Sequence, residues 1–165
     1  MERDEIVIFL DAIFAKAKIF GLELDELELD HIAFRCESFS EYLILKDQYG
    51  LKYDFKSEFD IEWRPISIFK LRDAVKYEWR AIDVIELISP KNGSRHRHWL
   101  EHAEFIIEWG LKQFEEKYPN LKFVSKHNRP INPESVLIFD DGYSIKFHTK
   151  HILEVIELQK ELWYS

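Results

Sequence analysis

Cys36 is the chain's one cysteine, so an intrachain disulfide is excluded and the fold must be held by packing and hydrogen bonds. Five glycines and five prolines in 165 residues leave little room for long linkers or low-complexity segments. No apolar run approaches the ~20 residues that a membrane helix requires, because charged residues interrupt every stretch. A basic start followed by the apolar core of a secretory signal is also missing, and together with the lone thiol this points to a reducing cytoplasm. Positive charge is in deficit, with 23 Lys and Arg against 31 Asp and Glu and a net charge of −8. Such a balance repels nucleic acid and anionic membrane surfaces at long range. The one basic cluster, Arg95-His96-Arg97-His98, sits in a Pro90/Gly93 loop with only Trp99 as an aromatic neighbour and reads as a solvated loop. Nucleic acid and membrane are therefore not the expected partners.

Apolar and aromatic residues, in contrast, are plentiful: 46% of the chain is hydrophobic and 15% aromatic, enough for one buried core over residues 1–165. Ile6, Leu10, Ile13, Ala17 and Phe20 fall at helical spacing in an N-terminal helix over 4–20, with Gly21 placed for a left-handed C-cap. An alternating strand over 30–36 follows, then a helix capped by Ser38 with Glu41, carrying Tyr42, Leu45 and Tyr49 to a stop at Gly50. Three β-rich runs come next: Leu51, Tyr53, Phe55 and Phe59; residues 66–71; and residues 79–88. The order β, α, β, β, β then repeats. A strand opens at 101–107, a helix through Leu111, Phe114 and Tyr118 ends at Pro119, and strands at 121–124, 136–139 and 143–148 follow, the last two joined by an Asp141-Gly142 turn. Thr149 is placed to cap a C-terminal helix over 150–163. Asp30-His31-Ile32-Ala33-Phe34 overlies Glu101-His102-Ala103-Glu104-Phe105 at an offset of 71 residues, as an internal duplication would produce. The fold class is α+β: two βαβββ modules, about 30–90 and 101–148, forming a cupped mixed sheet with additional N- and C-terminal helices.

Strand alternation then sorts the side chains. His31, Ala33 and Arg35 share one face while Ile32, Phe34 and Cys36 face the helices; His102 and Glu104 oppose Ala103 and Phe105; Lys146 and His148 oppose Ile145 and Phe147. Polar groups on an inner face are costly unless they line a wet cavity or bind something, and clustered imidazoles and carboxylates are standard ligands for Zn, Ni, Fe(II) or Mn. Glu86 closes the first module where His148 closes the second; it reads as a fourth ligand or as a surface carboxylate. Glu104 reads as the ligand in its place or as a general base. Arg35 reads as an anchor for an anionic substrate or as the ion-pair partner of Glu104. His96, His98, His127 and His151 lie in loops or at a helix start and make weaker candidates.

At these residues the sequence resembles a known family. Asp30-His31-Ile32-Ala33-Phe34-Arg35, Arg64-Pro65-Ile66 leading to Phe69-Lys70-Leu71, Ile85-Glu86-Leu87 before Pro90, Glu101-His102-Ala103-Glu104-Phe105 and Lys146-Phe147-His148 are similar to the YecM proteins. That family is placed in the vicinal oxygen chelate group with glyoxalases and ring-cleaving dioxygenases. The resemblance spans residues 5–160 and implies metal ligands near the start of the first and the end of the fourth strand of each module: His31, Glu86, His102 and His148. It further implies a small-molecule substrate and isomerase, lyase or oxygenase chemistry, or else a non-catalytic module that binds a metal or small molecule, with a second copy of the chain as a candidate partner.

Overall fold

The computed structural model describes residues 2–60, 63–91 and 98–163, so that Arg95, His96 and Arg97 lie outside the described residues. Twelve elements follow in the order α1 (Arg3–Ile19), β1 (Leu29–Arg35), α2 (Phe39–Lys52), β2 (Asp54–Asp60), β3 (Pro65–Tyr77), β4 (Arg80–Ile88), β5 (Trp99–Ile106), α3 (Leu111–Lys117), β6 (Val124–Lys126), β7 (Glu134–Ile138), β8 (Ser144–His148) and α4 (Ile152–Trp163). The chain divides into two compact units, residues 31–101 and residues 1–30 with 102–165. Each carries the same topology. In the 31–101 unit the strand order is β2-β3-β4-β1 and in the other it is β6-β7-β8-β5. In both, three strands form an antiparallel meander and the module's first strand lies parallel to its fourth. The βαβββ duplication expected from element order is therefore present, and the protein is α+β.

In the 31–101 unit, α2 covers the face bearing Ile32, Phe34, Ile85 and Phe69. Ser38 accepts from Glu41 N at 3.1 Å, as expected of the cap, while the Glu41 carboxylate takes Glu37 N at 2.6 Å instead of closing a box on Ser38. The helix runs through Gly50 to Lys52, two residues past the expected stop, because Gly50 holds no positive φ that would turn the chain. Tyr42, buried in α2, donates to Glu58 at 2.5 Å; Ser67 donates to the same oxygen at 2.9 Å, and Lys46 also pairs with it.

In the other unit, α1 ends as expected, with Gly21 at φ 69° and Leu22 N bonded to Ala17 O at 2.9 Å. Its Phe14 and α3's Phe114 pack on Phe105 and Phe147, all on the helix-covered face. Two expectations fail here. The strand placed at 121–124 lies at Val124–Lys126, because the chain turns at Pro119 (Leu121 N to Tyr118 O, 3.0 Å) before it can extend. Thr149 does not cap α4. The helix starts at Ile152, whose N–H donates to Asp30 Oδ2 at 2.9 Å while His151 Nδ1 donates to Oδ1 at 3.0 Å. A cap borrowed from 122 residues away leaves no local motif. Asp30→Ala is expected to destabilise the protein by about 1–2 kcal/mol in urea unfolding, with Asp30→Asn recovering most of the loss.

Each unit also holds a partly exposed carboxylate that gathers several donors. Glu115 accepts from Ser125 at 2.5 Å and Ser135 at 2.6 Å, with His127 Nε2 at 3.1 Å, and so pins α3 to β6 and β7 as Glu58 ties β2 to α2 and β3. Burial works to raise both carboxyls, but hydrogen bonds from Lys46, Tyr42 and Ser67 to Glu58, and from Ser125, Ser135 and His127 to Glu115, outweigh it and hold both below the usual carboxylate range. A depressed carboxyl contributes stability above its unfolded pKa, and the contribution is lost as pH falls through the lower folded value. Stability measured by urea unfolding is thus expected to decline on acidification below about pH 4.3. Glu58→Gln and Glu115→Gln should each flatten that decline.

Candidate metal centre

The parallel register of β5 with β8 sets His102 level with Ser144, Glu104 with Lys146 and Ile106 with His148. Since Phe105 and Phe147 point into the aromatic core, the alternation turns His102, Glu104, Lys146 and His148 to the opposite face. The expected partition of these strands holds. His102, Glu104 and His148 are only 1%, 4% and 2% exposed, so they meet out of water. Glu104 lies between the two imidazoles: Oε1 is 3.0 Å from His102 Nε2 and Oε2 is 2.7 Å from His148 Nε2. Lys146 Nζ donates to Oε1 at 2.6 Å and balances the carboxylate charge.

The His148 tautomer follows from its other nitrogen. Nδ1 is 3.0 Å from Pro133 O, and a carbonyl only accepts, so Nδ1 carries the proton. In the neutral ring Nε2 then presents a lone pair, and among the described residues it has no aligned hydrogen-bond partner although Glu104 Oε2 is adjacent. A lone pair facing a carboxylate oxygen at 2.7 Å is repulsive unless a proton or a cation sits between them. Donor atoms bound at about 2.0–2.2 Å to one ion stand roughly 3 Å apart, the spacing of Glu104 from both imidazoles. Each of these two pairs, taken by itself, is spaced as two ligands of one ion would be.

Glu134, at the start of β7, is a member that sequence reasoning missed. It is buried, lies 4.0 Å from His148 Nε2, and is neutralised by Lys126 at 2.6 Å and Arg129 at 3.1 Å. It falls before the strand expected at 136–139, next to Pro133, and only the Glu134–Lys126 ladder reveals its face. Lys146 was visible in the alternation, but its role emerges only from its contact with Glu104.

In the 31–101 unit, β1 pairs with β4 so that Ala33 is level with Glu86 and Arg35 with Ile88. His31, Ala33, Arg35 and Glu86 thus share the face not covered by α2, beside Ile66, Ile68, Val84 and Ile88. Glu86 is buried, which overturns the surface-carboxylate alternative. The register also shifts its equivalence. With Glu104 level with Lys146 and Ala33 level with Glu86, Glu86 corresponds to Lys146, and the residue corresponding to His148 is Ile88. Parallel register is set by the fold and not by strand ends, so the letters could not fix it. Arg35 pairs with Glu101, not Glu104, through Nε and through Nη2 at 2.5 Å. His31, Glu86 and Glu104 are each buried, and each offers a ligand atom of the kind that divalent ions take.

The weaker histidines are occupied structurally. His98 pairs with Glu41 and meets Phe34 edge-on at 4.7 Å, His127 bridges Glu115 and Ser135, and His151 holds Asp30. Burial pushes the Cys36 thiol up to about 12, with Glu41 adding to the effect, so Cys36 is no nucleophile. No helix among the described residues is long and apolar enough to cross a membrane.

Residues 3–128 match the family model described as YecM protein. The chain is 26% identical over 165 residues to Protein YecM of Escherichia coli strain K12, covering 90% of this chain and 87% of that one. A solved structure from structural genomics superposes with a TM-score of 0.79 at 23% identity, covering 92% of this chain and 87% of its own. The crystal structure of a candidate dioxygenase from Bacillus subtilis superposes with a TM-score of 0.51 at 8% identity, over 76% of this chain and 41% of that one. Both structural likenesses are likenesses of fold.

Proposed function

The chain belongs to the YecM family, and from that premise we propose that it binds a divalent metal ion and acts on a small oxygen-bearing substrate as an isomerase, lyase or oxygenase. The observation that carries the reading is the buried Glu104, with Oε1 3.0 Å from His102 Nε2 and Oε2 2.7 Å from His148 Nε2. The choice between carboxylates falls to Glu104 as ligand. His102, Glu104 and His148 would supply ligands, and in the 31–101 unit His31 is a further candidate ligand and Glu86 a candidate proton carrier. Imidazole and carboxylate donors suit Zn, Ni, Fe(II) or Mn. Bound there, a divalent ion supplies Lewis-acid polarisation of a substrate oxygen.

The chain's own residues do the remainder. Pro133 O holds the His148 ring in the tautomer that turns Nε2 toward Glu104, which preorganises the ligand. Lys146 donates to Glu104 Oε1 and orients the carboxylate. Glu86, buried level with Ala33 and Ile68 on the uncovered face, is a carboxylate that would exchange a proton with a substrate. Ile66, Ile68, Val84 and Ile88 form an apolar wall beside it that excludes water from the exchange.

The test is the metal content of protein purified without a histidine tag. About one divalent ion per chain is expected, released by chelator and restored on addition. Protein that contains none and binds none would end the reading. Glu86→Gln should keep the ion and lose turnover, which separates the proton carrier from the ligands.

A further inference from the structure

We infer that Arg35 is an oxyanion-binding residue and that the small molecule taken by this protein is an organic acid with an apolar body; this substrate class rests on the small-molecule reading above. The Arg35 side chain is 9% exposed, and one edge of its guanidinium is fixed on Glu101 through Nε and Nη2. The remaining nitrogen, Nη1, is buried and has no hydrogen-bond partner among the described residues. A buried charged donor left without an acceptor is costly, and an anionic ligand would satisfy it. Glu101 acts as the positioning residue: it fixes the plane of the guanidinium, so the free Nη1 donors are aimed before a ligand arrives.

The surroundings define the rest of the ligand. Arg35 lies on the uncovered face of β1 with His31, and the ladder places Ile88 beside it and Ile66 beyond. Both isoleucines are buried. Four residues of strand separate His31 from Arg35, roughly 13 Å of backbone, so a small acid can offer its oxyanion to Arg35 and its body to the apolar wall. Arg35 would thus read the charge and Ile66 and Ile88 the apolar length.

The experiment is calorimetric titration of acetate, hexanoate and inorganic phosphate into metal-loaded and chelator-treated protein. Saturable hexanoate binding is expected, tighter than acetate and tighter than phosphate. Arg35→Lys, which keeps the charge but loses the planar fork, should weaken it at least about 10-fold. Arg35→Met removes the guanidinium that faces the half-buried Glu101 and risks unfolding, so the paired replacement Arg35→Met with Glu101→Gln is the informative variant. It should abolish hexanoate binding while its circular dichroism stays that of the parent. Hexanoate that fails to saturate the parent at about 10 mM, or binds the paired variant as well as the parent, overturns the inference, as does phosphate binding that exceeds hexanoate binding. Because Arg35 is not among the proposed ligands, hexanoate binding retained by chelator-treated protein separates this claim from the metal reading; either can fail alone.

Discussion

Glu104→Gln is expected to lower divalent-metal affinity by at least about 100-fold, since removing a hydrogen-bonding partner of a ligand typically costs 10–100-fold and Glu104 is proposed as a ligand itself. The amide keeps the shape of the side chain but removes the charge that faces two buried imidazoles. His148→Ala should have a similar effect through the loss of Nε2. Glu134→Gln should weaken binding more mildly, because Glu134 is 4.0 Å from His148 and already balanced by Lys126 and Arg129. Calorimetric titration of chelator-treated protein reads all three. Equal affinity in the parent and in Glu104→Gln would remove Glu104 from the ligand set.

The second large effect lies in the core under the site. Phe147 is fully buried, its ring 4.3 Å from that of Phe114 and 6.2 Å from those of Phe105 and Phe123. Phe147→Ala is expected to cost about 3–5 kcal/mol in urea unfolding, combining lost burial with the cavity left behind. Phe147 stands between Lys146 and His148 on β8, so a shift of the strand should also disturb the contacts of Glu104 and reduce metal affinity. Phe147→Leu, which fills more of the space, should do less of both. A loss below about 1 kcal/mol for the alanine variant would mean that the aromatic cluster is not the main anchor of this strand.

Much of this arrangement was legible in the residues because alternation is a local property. His102-Ala103-Glu104-Phe105 and Lys146-Phe147-His148 each announce one polar and one apolar face, and the structure keeps both assignments. The repeated β, α, β, β, β order likewise needs only local patterns and turn residues. What was not legible depends on pairings distant in sequence. Register between parallel strands decided that Glu86 corresponds to Lys146. Asp30 caps a helix 122 residues later, where Thr149 offered a nearer but unused hydroxyl. Arg35 had two acidic candidates on one strand, and its pairing with Glu101 rather than Glu104 follows from placement that no spacing rule supplies. Glu134 hides behind two prolines in a segment that reads as loop.

The most direct measurement is an anomalous difference map from crystals grown with Mn(II). A single strong peak is predicted about 2.0–2.3 Å from a Glu104 oxygen and from the Nε2 atoms of His102 and His148. A map with no peak at Glu104, or with manganese only at surface carboxylates, would contradict the account.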